Sequence, residues 1–309
     1  MSLLDRSIEE APLSMPSHTL RGGLAPGEPG VLDVIFEGRA VRVSSWRCPV
    51  LAREWSEERV QSADAVAFPR DVPFAIHAEG ESIVADRNVV LFHSAGVSYR
   101  TSHPFGTGDR GLLLRFARPA PFTLRNAERR SWALRSPRAH LLQEILFRRG
   151  EDSDRRTVES LALRLLSEAR RLADTAPAPP SGRRREAAVQ ATRRRLASDL
   201  RAKLGLAALA AQARYSPFHL ARTFRQATGV TLRRYRLRAR LFAALPRVLE
   251  DRSDLMQIGL DLGFSSHSHL TSAFHAEFGM SPSSLRRLVR EEELGFVASR
   301  LGFGPARFE

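Results

Sequence analysis

The chain has 309 residues, of which 43% are hydrophobic, and it carries a formal net charge of +14. This length is enough for two domains, and this hydrophobic content excludes wholesale disorder. The basic excess favours a polyanionic partner, either nucleic acid or an acidic membrane surface, with a genomic preference for arginine codons as the alternative explanation.

Cysteine usage and apolar patterning exclude several classes of protein. Cys48 is the only cysteine, so the chain forms no intrachain disulfide and no zinc site built from several cysteines. It contains neither an apolar run of 18 residues nor the pattern of a signal peptide. We therefore expect a cytoplasmic protein without a cofactor and without a membrane-spanning segment.

Short apolar runs separated by turn residues occupy positions 31–135, after a segment at 1–30 that is rich in Pro, Gly and Ser and is expected to be loose. Runs such as VLDVIF, AVRVSSW and SIVADRNVVLFH carry Val, Ile and Phe at β-like spacing, which predicts a β-barrel or a sandwich. Candidate residues for an effector pocket in this region are Trp46, Arg53, Trp55 and His77, with core packing as the alternative role of the tryptophans.

The histidines of this region do not form a metal-binding motif. His77, His93 and His103 lie 16 and 10 residues apart, without the His-x-His pair that a cupin metalloenzyme needs. We interpret them as individual strand or loop residues, and we predict no metal site and no catalytic residue. The region is then an effector-binding or dimerising barrel.

Two helices are predicted over 136–173, because leucines recur at helical spacing in SPRAHLLQEILFRRG and TVESLALRLLSEARRLA. Their apolar stripes need a partner surface, which is either a second copy of the chain or the chain's own barrel. Residues 174–186 follow, with Pro, Ala, Gly and charge but no apolar stripe, and are predicted to be a linker.

The segment 187–293 is predicted to be helical throughout, with a tail at 294–309. From Arg183 to Glu293 there are 21 Lys and Arg against 10 Asp and Glu, so +11 of the total +14 lies in about a third of the chain. Because the charge is concentrated in one domain, codon usage explains it poorly. This concentration indicates a nucleic-acid-binding surface.

A pattern within this segment occurs twice. Leu220, Phe224 and Gly229 recur 50 residues later as Leu270, Phe274 and Gly279, whereas the preceding helix recurs at a shift of 49. Each copy predicts a helix-turn-helix unit, and the second unit has a turn one residue longer. Two amphipathic helices with ordinary solvated faces are the alternative, which the duplication in a basic domain disfavours.

The second helix of each unit is expected to enter a DNA major groove with its N-terminal part. We call these two helices the recognition helices. The candidate DNA-binding residues of the first are Ser216, Phe218, His219, Ala221, Arg222 and Arg225. Those of the second are Ser266, His267, Ser268, Thr271, Ser272 and His275. The predicted connecting helix, 231–245, spans about 22–27 Å and could place the two in neighbouring grooves. The candidate phosphate contacts are Arg233, Arg234, Arg236 and Arg286.

The phrases LAAQARYSPFHLARTFRQATG, RLRARLFAA and IGLDLGFSSHSHLTSAFHAEFGMSPSSLRR resemble the AraC/XylS family of bacterial transcription regulators. The resemblance covers about 105 residues and implies a DNA-binding domain with two helix-turn-helix units. The N-terminal region resembles, less specifically, the cupin-type sensor domain of such regulators. The implied fold is α+β, with a cupin-like β-barrel, a helical dimerisation or linker segment and an all-α C-terminal domain.

The resemblance implies a non-enzymatic, sequence-specific transcription regulator, an activator that responds to an unknown small-molecule effector. Its partners would be double-stranded promoter DNA, RNA polymerase and a second copy of the chain. The alternatives are a non-specific architectural DNA-binding protein and a cupin metalloenzyme fused to a DNA-binding domain. Three residues or segments depart from the family. Pro246 is expected to kink the connecting helix or end it near Leu245, and Ser272 stands where the family often carries a basic residue. The second recognition helix contains no Lys or Arg.

Overall fold

The computed structural model of the chain describes residues 30–116, 131–149, 154–178, 182–202, 204–250 and 254–291. A β-rich N-terminal region is followed by a helical C-terminal region, as the sequence predicts. The expected loose segment at 1–30, apart from its last residue, and the expected tail at 294–309 lie outside the described residues, as do residues 179–181 of the expected linker.

The strands of the N-terminal region form two antiparallel sheets. Their bounds are β1 (Val31–Glu37), β2 (Val41–Cys48), β3 (Arg59–Val60), β4 (Ala65–Pro69), β5 (Phe74–Ala78), β6 (Glu81–Ala85), β7 (Val89–His93), β8 (Ser98–Ser102), β9 (Asp109–Phe116) and β10 (Trp132–Leu134). Six strands pair in the order β1-β2-β9-β4-β7-β10 and four in the order β3-β8-β5-β6. Among the described residues no strand pairing joins the two sheets, so the prediction of a closed barrel is not confirmed.

Both faces of the six-stranded sheet are covered, and successive side chains alternate between them. Leu112, Leu114 and Phe116 of β9 belong to the core beneath the helices that follow the sheet. Leu113, between them, belongs to the core that lies between the two sheets, together with Trp46 of β2. This alternation decides which side chains reach the space between the sheets.

Two helices cover the outer face of the six-stranded sheet: α1 (Pro137–Arg149) and α2 (Arg155–Asp174). The leucine stripes predicted to need a partner are at most 8% exposed, and they pack on each other, on the sheet and on the C-terminal helices. The chain's own surfaces therefore cover them. Dimerisation through these stripes, one of the two expected arrangements, is wrong, because the side chains are already buried within one chain.

The remaining described helices are α3 (Arg183–Ser198), α4 (Leu206–Ala213), α5 (Pro217–Thr228), α6 (Leu232–Leu249), α7 (Leu255–Asp261), α8 (His267–Phe278) and α9 (Pro282–Glu291). None of the helices described here is both long enough and apolar enough for a bilayer crossing.

The connecting helix α6 continues through Pro246, so the expected end near Leu245 is wrong. A proline lacks the N–H that would bond to the carbonyl four residues earlier, here that of Phe242. His140 of α1 lies 2.9 Å from this carbonyl through Nε2 and satisfies it instead. Arg148 donates to the carbonyl of Pro246 itself at 2.5 Å. Side chains of the N-terminal region thus stabilise the helix at the point where the proline weakens it.

Candidate nucleic-acid interface

The first helix-turn-helix unit consists of α4 and α5. Arg214 ends α4 in the left-handed conformation, with φ of 53°. Ser216 caps α5 by accepting a hydrogen bond from the His219 amide, and Pro217 occupies the first helical position, where an N–H is not needed. Gly229 ends α5 at φ of 77°, as the sequence predicts. The turn therefore has the local chemistry that its sequence indicates.

The second unit, α7 and α8, repeats this construction. Asp254 caps α7 and Ser266 caps α8, while Gly279 ends α8 at φ of 78°. The helices begin 49 and 50 residues after their counterparts in the first unit, so the second turn is one residue longer, as predicted. Gly259 lies where α7 passes α8, and a Cβ there would contact the Leu270 side chain at 3.6 Å.

The candidate DNA-binding face of the first recognition helix, α5, points to solvent, while Leu220 and Phe224 on its opposite face are fully buried. Phe218 is 77% exposed. Also exposed are Ser216, His219, Arg222 and Arg225, and Ala221 is half-buried. The ring of His219 stacks on Tyr215 at 5.0 Å between centroids, so this histidine also supports the turn.

The candidate face of the second recognition helix, α8, is also exposed and is made of small polar groups and imidazoles. Leu270 and Phe274 are fully buried behind it. The exposed candidates are Ser266, His267, Ser268, Ser272 and His275, whereas Thr271 is half-buried. The Thr271 hydroxyl oxygen is itself buried and has no hydrogen-bond partner among the residues that the structure describes. The two faces therefore differ in charge, since the only arginines on either are Arg222 and Arg225 of α5.

Glu277 joins α8 to the connecting helix α6. Its side chain is 2% exposed and forms ion pairs of 2.6 Å with both Arg234 and Arg238 of α6. One arginine is half-exposed and the other is largely buried. The two pairs fix the second recognition helix against α6 and neutralise the acidic residue of α8.

The arginines of the expected phosphate contacts have different surroundings. Arg233 is exposed and lines a groove beside α5 with Phe218 and Arg222. Arg234 is exposed but pairs with Glu277, as described. Arg236 donates to the backbone carbonyls of Ala202 and Leu204, and Arg286 donates to that of Val248 at 2.7 Å. Of the four expected phosphate contacts, Arg233 and Arg234 are therefore exposed, and Arg234 already pairs with an acidic residue of the chain.

A buried polar network joins the helical region to the β region. Arg193 of α3 is fully buried and donates to the Tyr235 hydroxyl at 3.0 Å, to Gln190 at 2.9 Å and to the carbonyl of Val84 in β6. The Tyr235 hydroxyl in turn donates to Asp86 at 2.5 Å. Burial raises the pKa of the Tyr235 phenol and keeps it neutral. The network therefore holds two helices of the C-terminal region, α3 and α6, against the edge of the β region that contains β6.

A second contact between the regions surrounds His140. Its ring stacks on Phe242 with centroids 4.2 Å apart, and its Nδ1 lies 3.0 Å from the Arg135 guanidinium. A carbonyl only accepts and a guanidinium only donates, so these partners require the neutral tautomer with hydrogen on Nε2. Burial, helped by the charge of Arg135, lowers the pKa of His140 well below its ordinary value.

A cavity lies between the two sheets of the β region. Its walls include Trp46 and Cys48 of β2, Phe74 and Ile76 of β5, and Leu113 of β9. The other lining residues are Arg59, Gln61, Ala67, His93, Tyr99, Thr101, His103, Asp109 and Arg115.

Of the four candidate pocket residues, only Trp46 lines this cavity. His77 follows Ile76 along β5 and so points to the opposite face, where Trp55 packs on it at 5.9 Å. Arg53 is exposed in the loop that follows β2. These three residues therefore do not line this cavity, because strand alternation and loop position direct them elsewhere, and their assignment to an effector pocket stays a prediction.

One polar cluster of the cavity contains Trp46, but its other members, His103 and Asp109, are not among the predicted site residues. His103 lies 2.6 Å from Asp109, and the Trp46 indole N–H donates to the same carboxylate at 2.5 Å. Burial disfavours the charged imidazolium, but the hydrogen bonds and charges of Asp109 and Cys48 outweigh it and raise the pKa of His103 to about 9. Spacing along the chain could not reveal this cluster, because its members lie on different strands and in a loop.

Comparison with known proteins identifies the type of the C-terminal region. Residues 209–288 match a family model described as a helix-turn-helix domain. The chain is 29% identical over 91 residues to the bifunctional transcriptional activator/DNA repair enzyme AdaA of Bacillus subtilis, which covers 29% of this chain and 43% of that protein. It is 35% identical over 68 residues to the HTH-type transcriptional activator RhaS of Shigella boydii, covering 22% and 24% of the two proteins. The chain thus spans less than half the length of these two relatives.

Among solved structures, a transcriptional regulator with an AraC-type DNA-binding domain from Chromobacterium violaceum is similar at 24% identity and a TM-score of 0.32. The similarity covers 35% of this chain and 96% of that one.

Proposed function

We propose that this chain, whose residues 209–288 form a helix-turn-helix domain of the AraC type, is a sequence-specific DNA-binding regulator of transcription. The observation that carries the proposal is the pair of units with exposed polar faces on α5 and α8, backed by fully buried apolar faces. One such helix would be an ordinary amphipathic element. Here two such helices are joined by a single helix, in a region that carries most of the chain's net positive charge. This arrangement is typical of a domain that binds two successive major grooves of DNA.

The two recognition helices have different roles in this proposal. Arg222 and Arg225 supply charge and bidentate donors, so α5 provides the stronger anchor. The exposed serines and imidazoles of α8 read base edges by hydrogen bonds without adding fixed charge. The 18 residues of α6 span about 27 Å. Successive major grooves on one face of DNA lie about 34 Å apart. The connecting helix supplies most of this distance, and the turns at its two ends, with α5 and α8 themselves, supply the remainder in this proposal.

The direct test is selection of binding sites from random DNA with the full chain, followed by footprinting of the selected site. We expect protection of two adjacent major-groove segments, about 10 base pairs apart. Arg222→Ala should weaken binding to this site by about 1–3 kcal/mol, as expected for one good base contact. Arg47→Ala is the matched control, because it removes the same charge from an exposed position on β2. Uniform affinity for selected and scrambled DNA would instead support an architectural, sequence-independent DNA-binding protein.

We further propose that the β region is a cupin-like sensor domain and that the cavity between its sheets binds a small effector. The cavity combines an apolar body, formed by Phe74, Ile76 and Leu113, with polar side chains at its margins. This composition suits an organic molecule with one polar end. Mass spectrometry of small molecules that copurify with the full chain, followed by addition of each to the stripped protein, tests the proposal. A genuine effector should raise the melting temperature, and Ile76→Trp, which fills the cavity, should abolish the effect.

Contacts between the two regions give this proposal a route for signalling. Asp86 and Val84 belong to the β region, and they bond directly to Tyr235 of α6 and Arg193 of α3. An effector that shifts the sheets would move the helices that position both recognition helices. DNA affinity should therefore change on effector addition, and Tyr235→Phe should reduce that change while leaving effector binding intact.

The remaining parts of the proposal concern assembly and location. We propose a cytoplasmic homodimer that contacts RNA polymerase at promoters, acts as an activator and catalyses no reaction. The leucine stripes of α1 and α2 are not its interface, since they are buried in the single chain. Light scattering of the purified chain tests the dimer, and in vitro transcription from the selected promoter tests the sign of regulation.

A further inference from the structure

Three side chains of the ligand types that bind transition metals converge at one end of the cavity. They are Cys48, His103 and Asp109, and one potential ligand atom of each lies within 4.8 Å of the others. Cys48 ends β2 and Asp109 begins β9, and the two residues are directly paired across the sheet. Paired residues share a face, so both side chains point into the space between the sheets. His103 comes from the other side of that space, directly after β8 of the four-stranded sheet.

We propose that Cys48, His103 and Asp109 bind one divalent ion of the zinc class. A thiolate, an imidazole and a carboxylate form a mixed sulfur, nitrogen and oxygen ligand set that suits zinc, whereas magnesium and calcium prefer oxygen alone. Three protein ligands leave the fourth position of a tetrahedral ion open. Because all three residues line the cavity, the open position faces the space in which a small molecule would lie.

The backbone around the cluster allows its close geometry. Gly108 lies in the loop that carries His103, and a Cβ at this position would stand 2.1 Å from the backbone oxygen of Cys48. Only glycine lets this loop pass so near the end of β2. The His103 amide also donates to the carbonyl of Ala52 at 3.0 Å, which holds the loop in place. The histidine is therefore held beside the two strand residues by backbone contacts.

An outer shell orients the carboxylate. The Trp46 indole donates to one oxygen of Asp109 and leaves the other oxygen towards His103. The indole reaches this position by lying across Gly111, where a Cβ would stand 2.2 Å from the ring. Hydrogen bonds of this kind to a ligating carboxylate fix its direction and strengthen metal binding. A purely structural Asp–His pair, which braces the loop and binds no metal, is the rival interpretation.

Because Cys48 is the only cysteine of the chain, a thiolate–metal bond reports on this site alone. The full-length protein, treated with a chelator and then dialysed, is titrated with Co²⁺ at mildly alkaline pH. We expect a thiolate-to-cobalt charge-transfer band in the near ultraviolet that saturates at one equivalent per chain. Added Zn²⁺ should remove the band by displacing cobalt. Absence of the band in folded wild-type protein, checked by circular dichroism, overturns the proposal.

Variants separate a built site from a thiol that binds cobalt adventitiously. Cys48→Ser should lose the charge-transfer band, and His103→Asn and Asp109→Asn should each weaken cobalt binding at least about tenfold. His77→Asn is the control, because this histidine lies on the outward face of β5. If His103→Asn or Asp109→Asn binds cobalt as tightly as the wild type, the three-ligand site is wrong. This outcome would leave the proposed DNA-binding function untouched, since that function is tested on DNA alone.

Discussion

The buried network around Tyr235 predicts that removing the hydroxyl oxygen of this residue lowers the free energy of unfolding by a large amount. In Tyr235→Phe the ring stays buried, but its hydroxyl no longer donates to Asp86 or accepts from Arg193. Both partners are charged and almost completely buried, and hydrogen bonds to charged groups contribute about 1.5–3 kcal/mol each. Asp86 retains the bond from the Asn88 amide, and Arg193 retains Gln190. We therefore expect a net loss of about 2–4 kcal/mol in the free energy of unfolding.

Urea denaturation of the full chain measures this loss. For a slope of about 3 kcal/mol per molar urea, the midpoint should fall by roughly 1 M. Tyr215→Phe is the matched control, because its ring is half-buried and no hydrogen bond of its hydroxyl is found among the described residues. Hydrogen exchange should also become faster in β6 and α3, which the network joins.

A double-mutant cycle with Asp86→Asn assigns the effect to the network. The two substitutions should couple by at least about 1 kcal/mol, since both remove the same hydrogen bond. A midpoint change no larger than that of Tyr215→Phe would refute the reasoning, because it would show that the buried network contributes nothing to stability.

Four further outcomes follow from the structure. Glu277→Gln should lower stability by about 1–3 kcal/mol, less than a fully buried pair would, because one of its two arginine partners is half-exposed. In footprints the same variant should lose protection in the half-site of α8 before that of α5. Lowering the pH below about 6.5 should destabilise the folded protein, because His140 binds a proton in the unfolded chain but stays neutral when it is buried in the contact between the regions. Melting temperatures of the wild type and of His140→Gln, measured as a function of pH, test this. Pro246→Ala should raise the melting temperature, because α6 regains an N–H that can bond to the Phe242 carbonyl; an unchanged or lower value would contradict this account of the proline.

Local sequence determined the architecture of the helix-turn-helix region. Ser216 and Ser266 precede apolar positions at helical spacing, and Gly229 and Gly279 follow them, so caps and stops lie within one turn of the residues they serve. The repeat of about 50 residues made the pattern specific, since two copies of one buried pair exclude coincidence. Interactions of this kind are short in sequence and therefore visible in it.

Only the tertiary structure decided which surfaces meet. The leucine stripes of α1 and α2 are the same whether a second chain or the chain's own sheet covers them, and the structure shows the latter. Likewise, the effect of Pro246 depended on His140, more than 100 residues earlier, which satisfies the carbonyl that the proline leaves without a partner.

The polar cluster in the cavity is the clearest case of an arrangement that the sequence alone does not reveal. Cys48 and Asp109 are 61 positions apart, and only the register of β2 with β9 places their side chains on one face, opposite His103. A shift of that register by one residue would turn one of them away from the cavity. Strand register is set by packing over whole sheets and not by neighbouring residues, so no reading of the histidine spacing could have found the cluster.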